Sequence, residues 1–178
     1  MKTCLIACAF AAFAIAAPAQ EKAEANPFFA VIALREDMAS AIIKGDEQPN
    51  AVMTRLKAHA SPSGLKVDHD ADFAIAAIDV GQRLLAADKA TEAEDFFLAA
   101  EKSLLLAIGK TKDKDAQEKA LYLQQLAFIR ANFLNQTETA LDDLEAAIKL
   151  QPDDEYLKTR KVNLARDKAE HVKAKAKN

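Results

Sequence analysis

Apolar residues recur along most of the chain at steps of three and four, so that each set falls on one side of a helix. Phe73, Ala76, Ala77, Val80, Gly81 and Leu84 form one such face, and Phe96, Phe97, Ala100, Leu104 and Ile108 form the next. Leu121, Leu123, Leu126, Ala127, Phe128 and Phe133 follow, and then Ala140, Leu141, Leu144, Ala147 and Ile148. Before them, Phe28, Val31, Ile32, Met38 and Ile42 predict a helix that Asn26-Pro27 opens and Gly45 ends. Pro49 opens a second helix through Val52, Met53 and Leu56 to about residue 60, where Ser61-Pro62-Ser63-Gly64 breaks the chain. Strand-like alternation is missing throughout, which makes the expected fold all-α.

Helix boundaries are equally legible. The third helix is expected over about 70–87, and Thr91-Glu92-Ala93-Glu94 reads as a capping box for the fourth, which Gly109 should close. Asp115 is the expected cap of the fifth helix, which leads to a turn at Asn135-Gln136-Thr137. Pro152 stops the sixth, and Asp153-Asp154-Glu155 gives a seventh the negative first turn that its dipole favours. That last helix carries Tyr156, Leu157, Leu164 and Val172 among many charges.

Small residues sit where paired helices would touch. Gly81 on one arm and Ala93 and Ala100 on the other let two backbones approach around the turn Ala87-Asp88-Lys89-Ala90, with Phe97 filling the space beside them. The four-and-three spacing of Ala93, Phe97 and Ala100 returns in Ala140, Leu144 and Ala147, followed by Pro152. On these residues the chain resembles the tetratricopeptide repeat family, over two units at about 74–107 and 120–153. Neither unit has the family's large aromatic early in its first helix. Phe97 and Leu144 are 47 positions apart, against a family period of about 34. The resemblance implies stacked antiparallel hairpins, a short solenoid closed by a polar helix, and a concave groove lined by the first helix of each pair. At the matching positions stand Gln82, Gln124, Gln125, Phe128 and Asn132, which would form a partner-binding groove for another protein or peptide. The family's carboxylate-binding set of lysine, asparagine and arginine is not present there. Phe128 has a second reading, as a core residue packed on the neighbouring helix.

The amino terminus changes the picture. Lys2 precedes an apolar run over 5–17, and Ala17-Pro18-Ala19 offers small residues for cleavage, as in a secretory signal peptide. The run, at roughly 13 residues, is shorter than the roughly 20 of a membrane span. Leu5-Ile6-Ala7-Cys8 looks like a lipid-attachment signal, but its cysteine precedes most of the apolar run, so cleavage near residue 19 is favoured over a lipoprotein. The expected organisation is a signal peptide over 1–19, a helical hairpin over 20–64 that is a divergent repeat or cap, two repeat-like hairpins over 65–153, and a basic capping helix over 154–178. A periplasmic or secreted location follows. Both cysteines, Cys4 and Cys8, lie in the leader, so no disulfide or thiolate chemistry is expected after cleavage.

Chemistry is sparse. Asp68-His69-Asp70-Ala71-Asp72, with Asp79 at the closing position, has the alternation that opens a calcium loop, but Phe73 stands where that loop needs glycine, so helix capping accounts better for it. His59, His69 and His171 have no paired metal spacing, and no metal or other cofactor is expected. No nucleophile elbow or phosphate loop is present, and Asp142-Asp143 reads as solvent face, so an enzyme is not expected. Charge is uneven: 158–178 holds eight lysines and arginines against two acids, whereas 20–157 holds fifteen against twenty-five. The basic end could touch anionic lipid or an acidic partner, although such an alanine- and lysine-rich terminus is more often a solubilising, frayed helix. No nucleic-acid partner is expected. The leading expectation is a non-enzymatic scaffold; the alternative is a helical carrier of an apolar small molecule or lipid held between hairpins.

Overall fold

The computed structural model describes residues 27–59, 69–112 and 115–175. The leader, the Asn26 cap, the 61–64 break and Asp68 lie outside the described residues. Those residues form seven α-helices and no strand: α1 (Pro27–Lys44), α2 (Pro49–His59), α3 (His69–Ala86), α4 (Ala90–Lys110), α5 (Ala116–Asn132), α6 (Thr137–Leu150) and α7 (Glu155–Lys175). None of these helices is long and apolar enough to cross a membrane.

The helix ends show which local signals prevailed. At the end of α1, Gly45 has φ +79°, its N–H donates to Ile42 O at 3.0 Å, and Asp46 N–H donates to Ala41 O at 2.9 Å. This left-handed closure satisfies carbonyls that the last turn leaves open. The end of α3 repeats the geometry with Asp88 at φ 59°: its N–H reaches Leu85 O at 3.1 Å, and Lys89 N–H reaches Leu84 O at 2.9 Å. Because the chain is already turned at Asp88, the carbonyl of Lys89 can accept from Ala93 N–H at 2.9 Å, and α4 starts at Ala90 with Lys89 as its cap. Thr91 is therefore inside the first turn, and the expected capping box does not form.

One other end differs from expectation, and the start of α5 agrees with it in position. Gly109 does not close α4; the helix runs on to Lys110, and Thr111 closes it by donating both its N–H and its Oγ1 hydroxyl to Ala107 O. Asp115 occupies the cap position of α5 without a side-chain bond. Asp154 is a true cap, its Oδ1 accepting from Tyr156 N–H at 2.9 Å and from Leu157 N–H at 3.1 Å.

Packing follows the hairpin pattern. The most extensive contacts join α3 to α4 and α5 to α6, then α4 to α5 and α6 to α7. At the amino end α1 packs more against α3 than against α2, so α1 and α2 are less a self-contained hairpin than two helices laid on the next one. Two apolar clusters result. Met38, Leu56, Phe73, Val80, Leu84, Phe96 and Leu104 belong to the larger, and Ala140, Leu144, Ala147 and Leu157 to the smaller. α5 serves both: Tyr122, Leu126 and Ile129 enter the larger cluster, while Ala120, Leu123 and Ala127 enter the smaller. On α7 Leu157 is buried, Leu164 is half-buried, and Tyr156 and Val172 face outward. Exposed ion pairs of Lys161 with Glu145 and Lys168 with Glu138 join it to α6.

One contact ties the first hairpin to the second. The Phe97 ring lies so close to Gly81 that a β-carbon there would meet Phe97 Cε1 at 2.7 Å. The other side of that ring stacks on Phe133, with centroids 4.1 Å apart and planes 6° from parallel. Held on both sides, Phe97 has nowhere to retreat. Gly81→Ala should therefore destabilise the protein by about 1–2 kcal/mol, overpacking outweighing the better helix propensity of alanine. Chemical denaturation of Gly81→Ala, Phe97→Leu and the double variant checks this: the double variant should be more stable than the two single losses predict when added.

Candidate functional site

α3 and α5 both pack on α4 more than on each other, and the space left between them is a cleft of about 780 Å³. Ile75 lines it from α3, Gln117, Leu121 and Gln124 line it from α5, and Gln151 and Asp154 close it from the turn before α7. The α5 residues are spaced four and three, so they share one helix face. Ile75 is 44% exposed and Leu121 48% exposed. Leu121 is thus an outward residue of α5, whereas its neighbour Tyr122 is buried and donates its hydroxyl to Glu118 Oε1 at 2.6 Å.

The five groove residues expected from sequence are only partly gathered here. Gln124 lines the cleft. Gln82 is exposed on α3, seven residues beyond Ile75 and so on the same face but two turns away. Gln125 is half-buried. Phe128 packs edge-on against Phe133, with centroids 5.5 Å apart, and the Arg160 guanidinium covers its ring at 5.6 Å. It is partly buried at the α5–α7 junction, packed against the larger apolar cluster. Asn132 donates to the carbonyl of Phe128 at 2.8 Å and lines a separate recess of about 180 Å³ between α5 and α7. Sequence reasoning missed Ile75, Leu121 and the acidic residues of the rim. The signal was present in the Gln117, Leu121, Gln124 stripe, but an apolar residue on such a stripe reads as core until its neighbours are known.

The calcium-loop candidates are placed differently as well. Asp70 and Asp72 lie in the first turn of α3, and Asp70 pairs with Lys110 of α4. Among the described residues, no group of three or more His, Cys, Asp or Glu side chains could hold a metal ion.

The position of α5, the central wall, is set by a buried charge cluster. Arg130 Nε donates to Glu101 Oε1 of α4 at 2.7 Å, and its Nη1 donates to both Asp143 oxygens of α6 at 3.0 and 2.8 Å. The side chains of Arg130 and Asp143 are each 11% exposed and that of Glu101 15%. Asp143 is therefore not on a solvent face, which corrects the reading of Asp142-Asp143; the buried guanidinium of α5 draws it inward, while Asp142 stays exposed. Burial acts to lower the Arg130 pKa, but the bonds to Glu101 and Asp143 hold it above its ordinary value. Burial likewise pushes the Asp143 carboxyl up, Glu101 adds to that push, and Arg130 opposes it.

Comparison of the chain with family models, with curated proteins and with solved structures gives no match.

Removing Arg130 would leave two carboxylates in an apolar seam. Arg130→Met should destabilise the fold by about 3–5 kcal/mol near neutral pH, as breaking a buried pair does. The deficit should shrink on acidification. In that variant the buried Asp143 carboxyl titrates higher in the folded than in the unfolded state, so relative stability is greatest below its unfolded pKa and falls as pH rises through the folded one. A triple replacement, Arg130→Met with Glu101→Leu and Asp143→Leu, should recover most of the loss. Denaturant titrations at several pH values measure both effects.

Proposed function

We propose that this protein is a non-enzymatic, exported scaffold of tetratricopeptide-like hairpins that binds another protein or peptide along the first helices of its hairpins. The observation that carries this reading is the cleft between α3 and α5, the two first helices, where Ile75 and Leu121 stand nearly half-exposed amid amides and carboxylates. Large, partly exposed apolar side chains suit a partner's apolar anchor, and Gln117, Gln124 and Gln151 suit its backbone amides. The small residues Gly81, Ala93 and Ala100 at the α3–α4 contact, repeated by Ala140 and Ala147 in α6, support the repeat-like architecture. Export rests on the leader's sequence pattern alone.

Crosslinking in the native host, followed by identification of copurifying proteins, tests the reading. Wild type is compared with Ile75→Lys, Leu121→Lys, substitutions at exposed positions that should leave helical content by circular dichroism unchanged. A specific partner recovered with wild type should fall at least about tenfold with the variant. If both recover the same partners, the cleft is not the binding surface.

A further inference from the structure

We infer that the α3–α5 cleft is built for a cationic segment of another polypeptide, one that places an apolar side chain between lysines or arginines. The inference deepens the proposed function and rests on its reading of the cleft as a peptide groove. Its basis is charge complementarity around an apolar floor. Four carboxylates line the cleft, Asp72, Asp115, Glu118 and Asp154, and no lysine or arginine is among its described lining residues.

The carboxylates are not equivalent. Asp72 also acts on the charge of Arg35 in α1, so its field is partly answered inside the protein. Asp154 likewise acts on the charge of Lys158 in α7, whereas Asp115 and Glu118 take part in no ion pair among the described residues. Glu118 is oriented by the Tyr122 hydroxyl, and Asp154 by the two backbone N–H groups at the start of α7. Each bond uses one oxygen of its carboxylate and leaves acceptor capacity for a further donor. The same negative rim that attracts a cation repels an acidic segment, so it discriminates as well as binds.

The apolar floor separates this surface from a bare acidic patch. Leu121 and Ile75 reach the same cleft from different helices. A small cation would leave both uncovered, whereas a peptide residue such as leucine or methionine would bury them while its flanking basic groups meet the rim. The basic helix α7 offers the right charge in a second copy of the chain, and self-association is thus the main competing occupant to be tested.

The full-length exported protein, immobilised by an affinity tag, is panned against a random peptide display library at low salt. The expected result is enrichment of sequences with lysine or arginine flanking an apolar residue. Binding of a synthetic peptide from that set should weaken about tenfold in an Asp115→Asn, Glu118→Gln, Asp154→Asn variant and fall steeply by 0.5 M salt (about 0.4 nm Debye length). These substitutions keep capping and acceptor capability, so circular dichroism and thermal unfolding should match wild type. Four results overturn the inference. Neutral or acidic peptides whose binding is lost in Ile75→Lys, Leu121→Lys would leave the groove reading intact but refute the cationic ligand. Cationic peptides that bind the neutralised variant equally well would place the charge contact elsewhere. Absence of any cleft-dependent peptide would refute both, as would a concentration-dependent dimer dissolved by the neutralising variant with no peptide captured, which would identify a second copy as the occupant.

Discussion

Arg130 carries a full charge into the seam between two apolar clusters, and that charge tolerates burial only if it is answered on both sides. Glu101 answers it from α4 and Asp143 from α6. The three groups therefore specify which turn of α4 lies beside which turn of α5, and which turn of α6 lies beside both. Apolar contacts at Leu126, Ile129 and Ala127 supply the attraction, but they are non-directional and would accept neighbouring registers. A guanidinium bonded through Nε to one helix and through Nη1 to another does not. The buried cluster thus contributes more to register than to net stability, since the desolvation of its members offsets much of their mutual attraction.

Around that fixed point the aromatic contacts extend in one direction. Phe97 rests on Gly81 at one face and Phe133 at the other, Phe133 meets the edge of Phe128, and Phe128 lies under Arg160. The sequence of contacts runs from α3 through α4 and α5 to α7. It explains why Gly81 has to be glycine although a helix interior disfavours it. It also explains why Phe128, which a family pattern would place in a groove, is instead occupied by its neighbours.

The cleft is a consequence of the same arrangement. Because α4 stands behind both α3 and α5, the first helices are supported without closing on each other, and Ile75 and Leu121 keep an open side. Behind them the helices are well packed: Ala74, Ala76 and Ala77 on α3 and Tyr122, Leu123 and Leu126 on α5 are all buried.

Sequence by itself determined the helices, their approximate ends and the hairpin faces, because these depend on three- and four-residue periodicity and on local breakers such as Gly45, Pro49 and Pro152. The close approach at Gly81 was legible for the same reason: glycine opposite a large aromatic has few other uses in a helix. What tertiary structure alone decided was the fate of residues whose role depends on distant neighbours. Asp143 looks solvated until Arg130, thirteen residues earlier in the chain, is seen to face it. Leu121 looks like core until α3 is found to stay on the far side of the cleft. The capping box at Thr91 failed because the preceding turn at Asp88 let the helix begin sooner. Local patterns fix conformation through near neighbours in the chain, but burial and charge pairing are settled across helices, where sequence separation carries no information about distance.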